Sequence, residues 1–312
     1  MESQDSAIAS RALDGLETAV KQWLAELDVS ERTQDAYRKG IGRYVSYLQA
    51  QGLQGTLRTD ILSYKAHLVT SRSAATVSAY LVPVRRFYTW LHATTGTPNL
   101  AADIKGAKAS RGFKKDSLTP SQARKVLTAH SDCDSLKALR DSAIISLTVH
   151  TGVRTIELVR ANVEDMHSAG ESMVLDVHGK GRDSKDAFVV LPETVVEQIN
   201  TYLKARGPVT EDAPLFASIS PRNNGGRMTT RSISRIAKET LIKAGYDSPR
   251  LTAHSVRHTA VTLALLGGAT PQEAQAMARH SSINTTMIYA HNLDRVEHAA
   301  ELKISQLLSA SA

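Results

Sequence analysis

Residues 254–259 read His254-Ser255-Val256-Arg257-His258-Thr259, with a histidine and an arginine three positions apart. On a helix that spacing puts His254 and Arg257 on one face, so an imidazole and a fork of donors that stays charged converge there. Downstream, Arg279-His280 is followed by the polar run Ser281-Ser282-Ile283-Asn284-Thr285-Thr286, and then by Tyr289. Upstream, Thr151-Gly152-Val153-Arg154-Thr155-Ile156-Glu157-Leu158 sets an arginine just past a glycine break, where a helix start points a side chain into a cleft. Between them, Gly179-Lys180-Gly181-Arg182 carries a lysine on a turn. Taken singly, each has an ordinary reading: a surface arginine, a solvated lysine, a capping histidine, a tyrosine that anchors the last helices. Only the joint arrangement changes that.

The surroundings read as mostly helical. Thr119-Pro120-Ser121-Gln122 has a threonine cap, proline in the first turn and glutamine three past the cap, and Thr270-Pro271-Gln272-Glu273 repeats the signal. The run AIISLTVH reads as a buried helix ending near Thr151-Gly152. SMVLDVH, the turn GKGRDS and KDAFVVLP predict an antiparallel hairpin. Val296, Ala300, Ile304, Leu307 and Leu308 mark an amphipathic C-terminal helix.

Farther out, four apolar stripes predict a small helical domain over residues 1–93. They are Leu13, Leu16, Val20, Trp23, Leu24 and Leu27; Tyr37, Ile41, Tyr44, Val45 and Leu48; Ile61, Leu62, Tyr64 and Leu68; and Val77, Leu81, Val84, Phe87 and Leu91. The aromatics read as core. The basic residues Arg38, Lys39, Arg43, Arg72, Arg85 and Arg86 either face phosphate or form an ordinary solvated surface. Residues 94–117, with Gly96, Pro98, Gly106, Gly112 and several lysines, read as a linker, which leaves 118–312 as the second domain.

The 312 residues suffice for two domains, and 42% hydrophobic with 22% charged residues is a globular composition. A net charge of +7 and an isoelectric point of about 9.4 favour an acidic partner such as nucleic acid. No apolar run is long enough to span a membrane, the start MESQDSAIAS lacks a secretory pattern, and the single Cys133 cannot form an intrachain disulfide. A cytoplasmic protein with an incidental thiol is expected. No Walker pattern, HExxH or convergent carboxylates occur, so no cofactor or metal is expected.

The joint arrangement resembles the tyrosine recombinase (phage integrase) family, which includes the Xer-type enzymes. That family's first arginine lies in a Thr-Gly-Leu-Arg-x-x-Glu-Leu pattern, which falls here on Arg154 with Glu157 beside it. Its hairpin lysine falls on Lys180, its His-x-x-Arg element on His254 and Arg257, its third histidine on His280 and its nucleophile on Tyr289. The resemblance implies a mostly α fold: a helical core-binding domain, then a mixed α/β catalytic domain with a small antiparallel sheet. One departure stands out. The family commonly has Leu-Gly-His where this chain has Ala278-Arg279-His280, so Arg279 either shifts His280 or adds a phosphate contact.

The chemistry suits these residue types. A phosphodiester is an anion, and Arg154 and Arg257 can clamp its oxygens through planar forks of donors. His254 and His280 can add hydrogen bonds, and His254 is the better candidate for taking the tyrosine proton. A free tyrosine with a pKa of about 10 is ionised in only about one molecule in a thousand at pH 7, so a cationic cluster is needed to activate it. The resemblance implies attack by Tyr289, a 3′-phosphotyrosyl link and protonation of the leaving 5′ oxygen by Lys180. Rejoining to another strand through a four-way junction follows, without ATP or metal. It also implies self-association to a tetramer on paired DNA sites, with a related recombinase or accessory protein as an open further partner, and a C-terminal helix that packs either on a neighbour or on its own domain. Rival readings are a type IB topoisomerase, separated by its indifference to a second site, and a non-catalytic DNA-binding accessory protein, separated by the lack of a covalent adduct.

Overall fold

The computed structural model of the chain describes residues 2–108, 116–131, 133–179, 185, 187–297 and 300–309, with side chains described except at 2–12, 292–297, 303 and 306. It divides into two compact units, Met1–Gly112 and Phe113–Ala312.

The first unit is built from α1 (Glu2–Ala25), α2 (Glu31–Gln51), α3 (Arg58–Ser71) and α4 (Ala74–Thr95). The apolar stripes meet in one core: Leu16, Val20 and Trp23 of α1, Ile41, Tyr44 and Leu48 of α2, Ile61, Tyr64 and Leu68 of α3, and Val77, Leu81, Val84 and Phe87 of α4. Leu62, counted with the third stripe, is exposed. Helices α2 and α4 approach closely because Gly40 lacks a side chain; a Cβ there would lie 2.5 Å from Pro83 Cγ. Inside the core the Tyr44 and Tyr88 hydroxyls sit 3.0 Å apart, and Tyr88 donates to the Gly55 carbonyl. Residues 94 and 95 still belong to α4, and Ala101 and Ile104 are buried in this core, so the beginning of the stretch read as a linker is packed. Its residues 109–115 lie outside the described residues.

In the second unit, α5 (Pro120–Leu127) precedes the central α6 (Leu136–Thr151). Thr119 caps α5 as the sequence suggests, its hydroxyl accepting from the Gln122 amide and its own amide donating to the Gln122 side chain. After α7 (Thr155–Arg160) and a 3-10 turn come β1 (Met166–Ala169), β2 (Ser172–Val177) and β3 (Ala187–Leu191), then α8 (Glu193–Arg206). The strands form an antiparallel sheet in the order β1-β2-β3, with Leu175 opposite both Met166 and Val189. The expected hairpin is therefore extended by a third strand. The apex of the hairpin, with Lys180, Asp183 and Asp186, lies outside the described residues.

Ile144 and Leu147 of α6 pack with Leu175, Val189 and Leu191 of the sheet and with Val195 and Ile199 of α8. Ile145 and Val149 of α6 join Val126 of α5, Leu241 of α9 (Thr230–Lys243) and Val256 of α10 (Ala253–Leu266). A helix buried on two sides in this way is a stable platform for whatever its end carries. The chain closes with α11 (Pro271–Ala278), capped by Thr270 and Glu273, then α12 (Ile283–Glu297) and α13 (Ala300–Ser309). No helix among the described residues is long and apolar enough to cross a membrane.

Candidate active site

Gly152 ends α6 in the left-handed region (φ 62°), and a Cβ there would press against Ala260 of α10 at 3.4 Å. That turn brings the chain to Arg154, which starts α7. The Glu157 carboxylate accepts from the Arg154 amide at 2.7 Å and from Arg154 Nη1 at 2.8 Å. Glu157 is therefore both a cap and a tether for the arginine. Arg154 Nη2 donates to the Arg279 carbonyl at 2.7 Å, and the side chain stays 32% exposed.

Arg257, on α10, is 5% exposed. Its guanidinium donates to the Gly152 carbonyl at the end of α6 and to the Ala278 carbonyl at the end of α11. Both arginines thus bond carbonyls at a helix end, where four acceptors lack helical partners and the dipole is negative. Burial, together with the charges of Arg154 and Arg279, pulls the Arg257 guanidinium down to about 9, which leaves it cationic at neutral pH.

His280 follows α11, and its Nδ1 lies 2.9 Å from the Thr286 hydroxyl on α12. Its ring stands 6.4 Å from that of Tyr289, nearly parallel at 13°. Tyr289 is 5% exposed and packs with Val261 of α10 and with Ala274 and Ala278 of α11. The His258 ring also lies near, 5.1 Å from Tyr289 and 4.1 Å from exposed His254. Three histidines and the tyrosine therefore form one contiguous row.

The structure brings five of the expected residues together: Arg154, His254, Arg257, His280 and Tyr289. The sixth, Lys180, falls outside the described residues. His258 was missed, although its place four residues after His254 on one helix was a usable signal. Arg279, offered by the sequence as a phosphate contact, is 12% exposed and has turned onto Glu157, with Nη2 2.6 Å from Oε2. His280 nevertheless reaches both Thr286 and the neighbourhood of Tyr289. Burial alone would raise the Glu157 carboxyl, but the charge and hydrogen bond of Arg279, with the backbone and side-chain hydrogen bonds of Arg154, hold it below its ordinary value.

Burial first, and then neighbouring cationic groups, push both His258 and His280 down to about 4. Both rings are neutral at pH 7, suited to hydrogen bonding and not to pairing as cations. Between about pH 6.5, the ordinary histidine value, and about 4, the unfolded chain binds protons at these positions that the folded chain refuses. Stability should rise with pH across that window, and replacing both with asparagine should flatten the slope. Thermal melting at pH 5, 6 and 7.5 checks this; equal slopes in the two proteins would rule it out.

Comparison with known proteins identifies the family. The model of the phage integrase family matches residues 116–295, and the phage integrase N-terminal SAM-like domain matches residues 20–95. The chain is 31% identical over 274 residues to the tyrosine recombinase XerD of Shewanella oneidensis, covering 84% of this chain and 87% of that protein. It is 29% identical to XerD of Yersinia pestis, covering 93% and 94%. In fold it resembles the XerH recombinase solved in a post-cleavage complex with difH DNA, with a TM-score of 0.72 at 19% identity over 86% of this chain and 80% of that one. It also resembles a lambda integrase dimer on a core site, with a TM-score of 0.68 at 16% identity over 88% and 93%. The chain belongs to the phage integrase family of tyrosine recombinases and carries out site-specific DNA recombination.

Proposed function

We propose that Tyr289 attacks the scissile phosphate and that Arg154 and Arg257 hold its non-bridging oxygens. The observation that carries this is the row of rings at Tyr289 set beside two guanidinium groups anchored on the end of α11. The phenolic oxygen bonds to phosphorus as its proton leaves, with His254 the candidate acceptor. The bond from phosphorus to the 5′ oxygen breaks, and Lys180 protonates that oxygen. His280 donates a further hydrogen bond. The 3′-phosphotyrosyl link keeps the phosphodiester's energy, so a 5′ hydroxyl from another strand reverses the step without ATP.

The helical unit is proposed as a core-binding, DNA-contacting domain over 1–93, and the second unit as a catalytic domain over 118–312. Arg38, Lys39, Arg43, Arg72 and Arg86 are exposed, and Arg43 lies over the Tyr80 ring at 4.5 Å. Half-buried Arg85 donates to the Ile104 carbonyl. Arg86→Ala should weaken binding evenly across DNA sequences and lower the salt slope of log K by about 1, the signature of one lost phosphate contact. Titrations at several salt concentrations check this, and a loss confined to one sequence would refute it.

Four protomers are proposed to act together on two sites, in the cytoplasm where the DNA lies. The exposed Ile304, Leu307 and Leu308 share one face of α13, an apolar surface suited to a second copy of the chain. The test of the site is a covalent trap. Nicked site DNA that loses its short 5′-hydroxyl fragment after cleavage is mixed with protein in EDTA and run on a denaturing gel. A protease-sensitive shifted band supports the reading. Its absence on DNA that the protein binds overturns it.

A further inference from the structure

Arg279 occupies a backbone conformation that arginine ordinarily avoids, with φ 53° and ψ 48°. Its amide bonds the Ala276 carbonyl and the next amide, that of His280, bonds the Gln275 carbonyl. This is the paired pattern of a Schellman turn, whose left-handed residue is most often glycine because a Cβ is disfavoured there. The turn alone therefore gives no reason for an arginine.

The side chain does. Its Nη2 lies 2.6 Å from Glu157 Oε2, and its Nη1 donates to the Met277 carbonyl at 2.6 Å. Glu157 is 1% exposed, and its carboxylate is shared with Arg154. A buried carboxylate with one cation forms a neutral pair; with two cations the group carries a net positive charge. We propose that Arg279 is a positioning residue that neutralises Glu157, so that Arg154 keeps its charge for the phosphate while its orientation is still fixed. The Arg279 carbonyl holds the same arginine from the other side, through Nη2. Without the Arg279 side chain, Glu157 would draw Arg154 fully onto itself and away from the substrate.

This inference rests on Arg154 being a phosphate ligand, and its test keeps the two apart. Single-turnover adduct formation is measured at saturating DNA for the wild-type chain, Arg279→Gly, Arg279→Lys and the double variant Arg279→Gly with Glu157→Gln. Glycine suits the left-handed turn, so Arg279→Gly should melt no lower than about the wild-type temperature. Its cleavage should nevertheless be slower by roughly tenfold or more, with DNA affinity changed little, because the lost interaction acts on the reacting phosphate. Arg279→Lys should recover part of the rate. Removing the Glu157 charge should restore most of the rate to Arg279→Gly, which a purely structural role would not produce. If the double variant does not melt cooperatively, the comparison of glycine with lysine decides, and equal slowing overturns the proposal. Wild-type speed in Arg279→Gly, or a folded double variant slower than that single one, also overturns it. No adduct from the wild-type chain would instead sink the reading of the site.

Discussion

Tyr289→Phe should abolish the covalent adduct, lowering its rate by roughly 10⁴-fold or more, while DNA affinity stays within about twofold of wild type. The substitution deletes one oxygen and keeps the ring. That ring lies near both His258 and His280 and packs on Val261, Ala274 and Ala278. The apolar contacts survive, so the melting temperature should fall by no more than a few degrees. Binding is governed by charge spread over both units, and phenylalanine leaves that charge unchanged. A denaturing gel for the adduct and a titration for affinity measure the two quantities on the same preparation. An adduct that persists in the phenylalanine variant would move the nucleophile elsewhere.

Arg257→Lys should be the next most damaging change, slowing cleavage by roughly 10²- to 10³-fold, as expected when a donor to developing negative charge is lost. Lysine keeps the charge but not the fork. Arg257 ties the end of α6 to the end of α11 by donating to the Gly152 and Ala278 carbonyls, and a single ammonium cannot serve both while also reaching a phosphate. At 5% exposure, water cannot readily replace the missing donors. Losing one charge-assisted hydrogen bond costs about 2 kcal/mol, equivalent to roughly 4–8 °C in a domain of this size. Calorimetry and single-turnover cleavage check the two halves separately. A lysine variant that cleaves at the wild-type rate would show that Arg257 is structural only.

Much of this was legible in the sequence. The four stripes of the first unit were visible because one face of each helix is buried and the 3.6-residue period is regular. Leu62 departs because Ile61, Tyr64 and Leu68 share the buried face and position 62 lies about 100° round the helix from Ile61, off that face. Strand β1 was invisible: Met166–Ala169 is four residues long and mostly exposed, held by pairing with β2 and not by its own composition. Ala101 and Ile104 pack without any periodic context, so a reading based on period took them for a linker. In the site, Arg154, His254, Arg257, His280 and Tyr289 each had an ordinary reading from local spacing, and only their joint resemblance to the family singled them out as candidates. Arg279 was visible only as an exception. Its partner Glu157 lies 122 positions away, and no local pattern encodes such a pairing.

Three guanidinium groups, those of Arg154, Arg257 and Arg279, crowd around the single carboxylate of Glu157. The packed helices α6, α10 and α11, on or beside which these groups sit, hold the like charges close. In landscape terms this corner is locally frustrated: its electrostatics oppose an arrangement that the surrounding packing imposes. A phosphodiester held by Arg154 and Arg257, as proposed, would resolve the conflict by supplying negative charge where the polypeptide has too little. DNA is then a folding ligand as well as a substrate, and its occupancy should raise the folded population by mass action.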